Sequence, residues 1–515
     1  MQDRSIIVAV LDFGSDTIKL ALANKNVRGE GDSATSIDNF IEVIYYGKVS
    51  TDGAIVRGVI RNLTDTAGKV QNLIREAEEK TGVKINNLYV LVDSQGLQSK
   101  LYSAQLDFTE PREIKNSDLN ELLKLVNPED KKFSFDNPYA RFYVGGTFEE
   151  RPVGVRGLNL KGEFQFFQAD QYVIENIEDV LENKLNLAVH SYWVAPALLG
   201  ELFLTDEQKR IGSAVIDFGA ETTSIAIYKN GFLEGLRVLP MGSRQITNDL
   251  MHLEISQIEA NRLKEKEGTV LLDLKDNEPL KVELVNNHSK KEVTRYRVNQ
   301  YIEARMREIV DNIKHIIKQF VGNEKLSGGI LITGGGAKIK GLQTYLIEML
   351  ETAVEQISFL AGSDSVNTKF LENQGIHAIY SLLHRATVCC TESIDDEDEV
   401  YEESEKAEEV VTSEGQESVG VEESSRRQAS LFDEDLPHSS LDPAPDPIEP
   451  TRGEVNGYQT ENKQTIPPQE EVRSKKEAKK SKPKKKKRGG NNLLSLMKNI
   501  LPFEWDDMES DDETV

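Results

Sequence analysis

The sequence predicts an α/β protein of two duplicated lobes, interrupted by a small α+β subdomain and followed by a long disordered tail. Three observations predict it. The continuous apolar runs Ile6-Ile7-Val8-Ala9-Val10-Leu11 and Ala214-Val215-Ile216 read as strands buried on both faces of a mostly parallel sheet. Each run leads into Asp-x-Gly, at Asp12 and again at Asp217 about 200 residues later, so a duplicated architecture is the economical reading. From Thr391 to Val472 apolar periodicity is lost, and acidic residues outnumber Lys and Arg by 25 to 5.

At 515 residues the chain has room for two to four domains. Its 38% hydrophobic content is below the usual globular share, as expected when part of a chain stays unfolded. Most of the formal charge of -25 falls on the acidic stretch, so the acidity describes a tail and not a binding surface. The two cysteines, Cys389 and Cys390, are adjacent; they suit neither an unstrained bridge nor a metal cage, and they fit a reducing compartment. The run Ile6–Leu11 is too short for a signal sequence, and no segment has the apolar length of a spanning helix.

The first lobe is expected over residues 1–85 and 172–204. After its opening strand, Ala67, Val70, Leu73, Ile74 and Ala77 mark one face of a helix over Thr64–Lys80. A strand follows at Asn87–Asp93. Residues 86–171 read as the inserted subdomain, with short strands around a helix at Ser117–Leu125. The second lobe spans 205–388, with a smaller subdomain at about 240–303. Its long helix, Val298–Phe320, carries Ile302, Met306, Ile309, Val310, Ile313, Ile316 and Ile317 along one side. The strand Gly329–Thr333 then meets Gly334-Gly335-Gly336, and a helix runs over Ile339–Leu350. Residues 389–490 form the linker, acidic and then basic. Residues 491–505 form an amphipathic helix, and 506–515 an acidic end.

Three glycine turns hold the candidate chemistry. In Asp12-Phe13-Gly14-Ser15-Asp16-Thr17-Ile18-Lys19 a strand ends in a carboxylate, and the tight turn can aim backbone N–H groups at an anion beside Lys19. An ordinary β-hairpin reads the same way. Asp217-Phe218-Gly219-Ala220-Glu221-Thr222-Thr223-Ser224 repeats the device, so the two turns can clamp a polyphosphate while Asp12 and Asp217 hold a hydrated Mg²⁺. Gly334-Gly335-Gly336-Ala337-Lys338 lets backbone approach a base or ribose, or is a plain strand–helix loop. The ordered triple is far more specific than its members.

That order resembles the actin, sugar-kinase and Hsp70 superfamily, and over roughly residues 5–385 the chain resembles the bacterial FtsA family. Asp12-x-Gly-Ser-x-x-Ile-Lys19 is similar to the family's first phosphate loop, and Ile332-Thr333-Gly334-Gly335-Gly336-Ala337 to its adenosine loop. Gly58-Val59-Ile60-Arg61-Asn62 and the helix Tyr301–Ile309 also resemble family segments. The resemblance implies a duplicated actin-like (ribonuclease H-type) fold with a 1C-type insertion. It implies ATP with Mg²⁺, bound by Gly14, Ser15, Lys19, Gly219, Ala220 and Thr222 at the phosphates, and by Lys264, Gly334, Gly335, Gly336 and Lys338 at the nucleoside. Asp12 and Asp217 are the candidate catalytic and metal-holding residues, acting through water, with Asp217 orienting the attacking water. The implied role is a polymerising cell-division protein that tethers the FtsZ ring to the cytoplasmic face of the cell membrane at the division site and helps recruit other divisome proteins. Arg305 and Arg307 are candidate contacts for the FtsZ C-terminal peptide, or simply helix-surface ion pairs.

The chain departs from the family pattern at four places. Ala220, Glu221 and Ser224 stand in a loop that usually reads Asp-x-Gly-Gly-Gly-Thr-Thr-Asp, and Asn261 replaces the glutamate of Ala-Glu-x-x-Lys. Glu221 and Asp16 add negative charge beside the phosphates, unfavourable unless their side chains turn outward. Hydrolysis is therefore expected to be slow at most. The rival readings are a small-metabolite kinase, for which no acceptor-activating Asp stands out, and a nucleotide-free membrane scaffold.

The tail argues for a membrane. Eleven Lys and Arg lie between Arg473 and Arg488. Such a run suits nucleic acid or a solvated spacer equally. After it, Leu493, Leu496, Met497 and Ile500 share a helical face flanked by Leu494 and Leu501, and Phe503 and Trp505 follow Pro502. A polybasic stretch before an amphipathic helix reads as a two-signal anchor for anionic lipid, or as a helix that docks in a partner's groove, and no nucleic-acid partner is expected.

Overall fold

The computed structural model describes residues 4–27, 41–126, 132–135, 139–285, 289–358 and 376–391, and these belong to one unit of the chain. The tail readings at 392–515 lie outside the described residues.

The first strand, Arg4–Phe13, is central because it is apolar on both faces: Val8, Ala9, Val10 and Leu11 have no exposed surface. Thr17–Val27 pairs with it antiparallel and Ile41–Ser50 extends that side, while Asn87–Val92 and then Ala188–Val194 add in parallel on the other. The helix Leu63–Thr81 covers one face of this sheet. Asn62 caps its start by accepting the Asp65 N–H at 3.0 Å, Gly82 ends it at φ 72°, and the anticipated stripe Ala67, Val70, Leu73, Ile74 and Ala77 is buried.

The second lobe repeats the plan. Ser213–Phe218 is central, Thr223–Lys229 and Phe232–Leu239 follow antiparallel on one side, and Ile330–Thr333 and Val354–Gln356 lie parallel on the other. These five strands repeat the order and the strand senses of the first sheet, the duplication that the repeated Asp-x-Gly announces. The helix Arg295–Val321 packs Ile302, Met306, Ile309, Val310 and Ile313 into the core beside the second sheet.

The insertion is a long antiparallel hairpin, Gln98–Glu113 with Arg156–Asp170, backed by the helix Asn116–Lys124 through Leu119, Leu122 and Leu123. It interrupts the first lobe in sequence but continues the sheet of the second. Gln98 pairs with Arg237, the Leu236 N–H donates to Ser99 Oγ at 2.7 Å, and Arg141 meets Glu234 at 2.9 Å.

Two expectations shift. The strand Asn87–Val92, placed inside the insertion at residue 86, is the middle of the parallel half of the first sheet; buried throughout, it needs a neighbour on each side, and the insertion begins only after it. The helix His377–Arg385, assigned to the second lobe, lays Ile379, Leu382 and Leu383 on the face of the first sheet opposite Leu63–Thr81. Lys25 Nζ holds this helix by donating to Ala386 O at 2.9 Å, and the Cys390 N–H then donates to Ile7 O at 2.7 Å.

Candidate functional site

The two hairpins share one geometry. Asp12 stands across from Lys19 and Phe13 from Ile18; Asp217 stands across from Ser224 and Phe218 from Thr223. Gly14 and Gly219 occupy matching places, where an added Cβ would come within 2.8 Å of Thr17 O and 2.9 Å of Thr222 O. Both turns therefore close only around glycine. The third element folds against the second turn. Gly334 adopts φ +92°, and a Cβ there would meet Asp217 Oδ1 at 2.2 Å. Gly335 faces open space, so it presents bare backbone to the cleft.

A cleft of about 630 Å³ between the lobes gathers every residue proposed for the nucleotide: Asp12, Gly14, Ser15, Lys19, Asp217, Gly219, Ala220, Thr222, Lys264, Gly334, Gly335, Gly336 and Lys338. Some are already engaged. Ser15 Oγ accepts the Gly58 N–H at 2.9 Å, and Lys264 Nζ donates to Thr247 Oγ1 at 2.9 Å. Burial lowers the Lys264 pKa. Burial also opposes the Lys19 ammonium, but its ion pair with Asp12 outweighs this and raises its pKa.

The charges that threatened the phosphate turns are absorbed. Glu221 does not line the cleft. Its carboxylate accepts the Arg57 N–H at 2.8 Å and pairs with Arg244 at 3.0 Å. Arg244 reaches Asp16 as well, at 2.7 Å. One guanidinium thus pairs with both added carboxylates.

Sequence reasoning missed Arg244 and Asp93. Asp93 lines the cleft just past the strand Asn87–Val92 and accepts from Thr222 Oγ1 at 3.1 Å and from Ser224 Oγ. Its place at the carboxyl end of a parallel strand is the available signal, because ligands of open α/β sheets gather there. Nothing local marks Arg244. Desolvation, and next the Asp93 charge, push the Asp217 carboxyl up to about 7, with Lys19 working against them. Behind the third loop Thr333 Oγ1 meets His377 Nδ1 at 2.6 Å; burial holds that imidazole at about 4, hence neutral. Among the described residues no group of three or more His, Cys, Asp or Glu has metal-holding geometry.

Arg305 and Arg307 lie on the outer helix, away from the cleft lining. Arg305 makes a two-pronged pair with Asp249 at 2.7 and 2.9 Å, and Arg307 Nε donates to Glu303 at 2.8 Å. Among the described residues no helix is long and apolar enough to cross a membrane.

Two copies of one sheet, each presenting a strand-end aspartate and a glycine turn to a common cleft, define a two-lobed protein of the actin fold. The family model "Cell division protein FtsA" matches residues 214–369. The protein of that name from Porphyromonas gingivalis is 27% identical over 401 residues, 76% of this chain and 81% of its own length. The one from Bacillus subtilis is 25% identical over 328 residues, 62% of this chain and 74% of its own length. Among solved structures, the PilM-PilN type IV pilus biogenesis complex covers 75% of this chain and 98% of its own at 14% identity and a TM-score of 0.48, too low to add to the topology. The chain is thus similar to the FtsA family of cell-division proteins.

Proposed function

We propose that the chain binds Mg-ATP between its lobes, polymerises, and tethers the FtsZ ring to the cytoplasmic face of the membrane at the division site while helping to recruit other divisome proteins. The convergence of all three glycine elements and both strand-end aspartates on one cleft is the observation that carries the nucleotide part. Its volume of about 630 Å³ lies in the range of small-molecule sites.

The residues suit a cation carried in by phosphate better than one caged by protein. Asp12 is paired with Lys19, Asp217 is raised to about 7, and the described residues form no three-ligand cluster. Asp12 and Asp217 would hold Mg²⁺ through its water shell, where the cation neutralises phosphate charge. The turn N–H groups and Lys19 orient the phosphates, and Gly335 lets the nucleoside lie on backbone. The FtsZ contact at Arg305 and Arg307 and the anchor at Leu493–Trp505 rest on family resemblance and on sequence chemistry.

Calorimetric titration of the full chain with Mg-ATP, beside the Asp217→Ala variant, tests the central part. Micromolar binding that the variant loses is expected. A wild-type chain without affinity would leave a nucleotide-free scaffold.

A further inference from the structure

The two hairpins differ most at the residue facing the aspartate. In the first it is Lys19, which neutralises Asp12; in the second it is Ser224, a neutral side chain across from Asp217. Ser224 Oγ donates to one oxygen of Asp93, and Thr222 Oγ1 donates to the other at 3.1 Å. Asp93 comes from the opposite lobe, directly after the first-sheet strand Asn87–Val92. Its backbone is locked there. The Gln95 N–H donates to Arg57 O at 2.9 Å, and Gly58, at φ +72°, lies so close that a Cβ would fall 2.0 Å from Asp93 O.

We infer that Asp93 is a positioning residue of the proposed nucleotide site: a first-lobe carboxylate that holds both hydroxyls of the second phosphate turn and supplies, across the lobes, the acid which that turn lacks at Ser224. The inference rests on the nucleotide reading. Residues 222 and 224 are two apart, so their side chains leave the same face of the hairpin. One carboxylate can therefore bind both with its two oxygens, fixing the turn's orientation as a single bond would not. The lobes cannot part at this point unless both bonds break. The charged neighbours of Asp93 are Asp12 and Lys19 from the first hairpin and Asp217 from the second.

A reciprocal exchange in the full chain tests this. Asp93→Ser and Ser224→Asp are made singly and together; amide hydrogen exchange of residues 219–224 is followed without nucleotide, and Mg-ATP affinity is measured for each. Asp93→Ser strips two hydroxyls of their acceptor, and Ser224→Asp sets two carboxylates in contact. Each single variant is expected to speed exchange in the turn and to weaken binding about tenfold or more. The double variant restores the 93–224 bond with its sides exchanged but not the bond from Thr222, so both readouts are expected to recover part of the loss and to lie closer to wild type than either single variant. Single variants that match wild type, or a double variant no better than the worse single, would overturn the inference. If the wild-type chain binds no Mg-ATP the nucleotide reading falls, while the exchange rates still decide whether Asp93 holds the turn.

Discussion

Arg244 Nη2 lies 2.7 Å from Asp16 Oδ1, an ion pair that joins the second lobe to the first phosphate turn. Its neighbouring nitrogen meets Glu221 at 3.0 Å. Both carboxylates add negative charge to the glycine turns, and the cation that pairs with them sits at the start of the helix Ser243–Leu250.

Arg244→Ala leaves two uncompensated carboxylates beside the phosphates. Mg-ATP affinity is expected to fall about tenfold or more, with the loss growing at low salt. Arg244→Lys keeps the charge but not the fork, and should recover only part. Calorimetry at two ionic strengths checks this; salt-independent binding would contradict it.

The glycine loop offers a paired test. Gly334→Ala forces a side chain onto Asp217 and a left-handed φ, and is expected to destabilise the fold by about 2 kcal/mol or more. Gly335→Ala meets nothing within 4 Å and should melt like wild type, yet lose nucleotide affinity because its methyl enters the cleft. Thermal melts with and without Mg-ATP separate the two.

Asp217 makes stability depend on pH. Its folded pKa, about 7, lies above the ordinary carboxylate range, so folding favours the neutral acid. That contribution is complete below about pH 4 and is lost as pH rises through 7. Asp217→Asn should therefore melt above wild type at pH 8, with the gap closing towards pH 4. Parallel melting curves across that range would show that the carboxyl is not perturbed.

Arg305→Glu should weaken binding of an FtsZ C-terminal peptide, but it also sets like charges against Asp249 and Glu308. The exchanged pair Asp249→Arg with Arg305→Glu should regain the melting temperature and still bind peptide poorly. If the exchange restores peptide binding, the arginine acts through structure alone.

Deleting Leu493–Trp505 should release the chain from anionic vesicles while leaving Mg-ATP binding intact. Flotation of the truncated chain with those vesicles would remove the anchor.

The three turns were legible because their signal is local: an apolar strand, an aspartate and a glycine within a few residues. The helices at Leu63–Thr81 and Arg295–Val321 were legible through their apolar stripes. The contacts that complete the site were not. Asp93 is 129 positions from Thr222 and Asp16 is 228 from Arg244, and no periodicity encodes such a meeting. Nothing local in His377–Arg385 says which sheet receives its buried face. Likewise Glu221 reads as a hazard in sequence, because its rotamer and its partner are tertiary facts.

The insertion's seat on the second sheet decides how the chain can be cut. The strand Phe232–Leu239 would otherwise end that sheet with its Leu236 and Val238 N–H groups unanswered; here Ser99 and Leu97 accept them. Excising the hairpin as though it were a surface loop would bare a template for a second chain, the usual seed of sheet-to-sheet aggregation. A soluble fragment must therefore keep the insertion, even one designed to study only the second lobe.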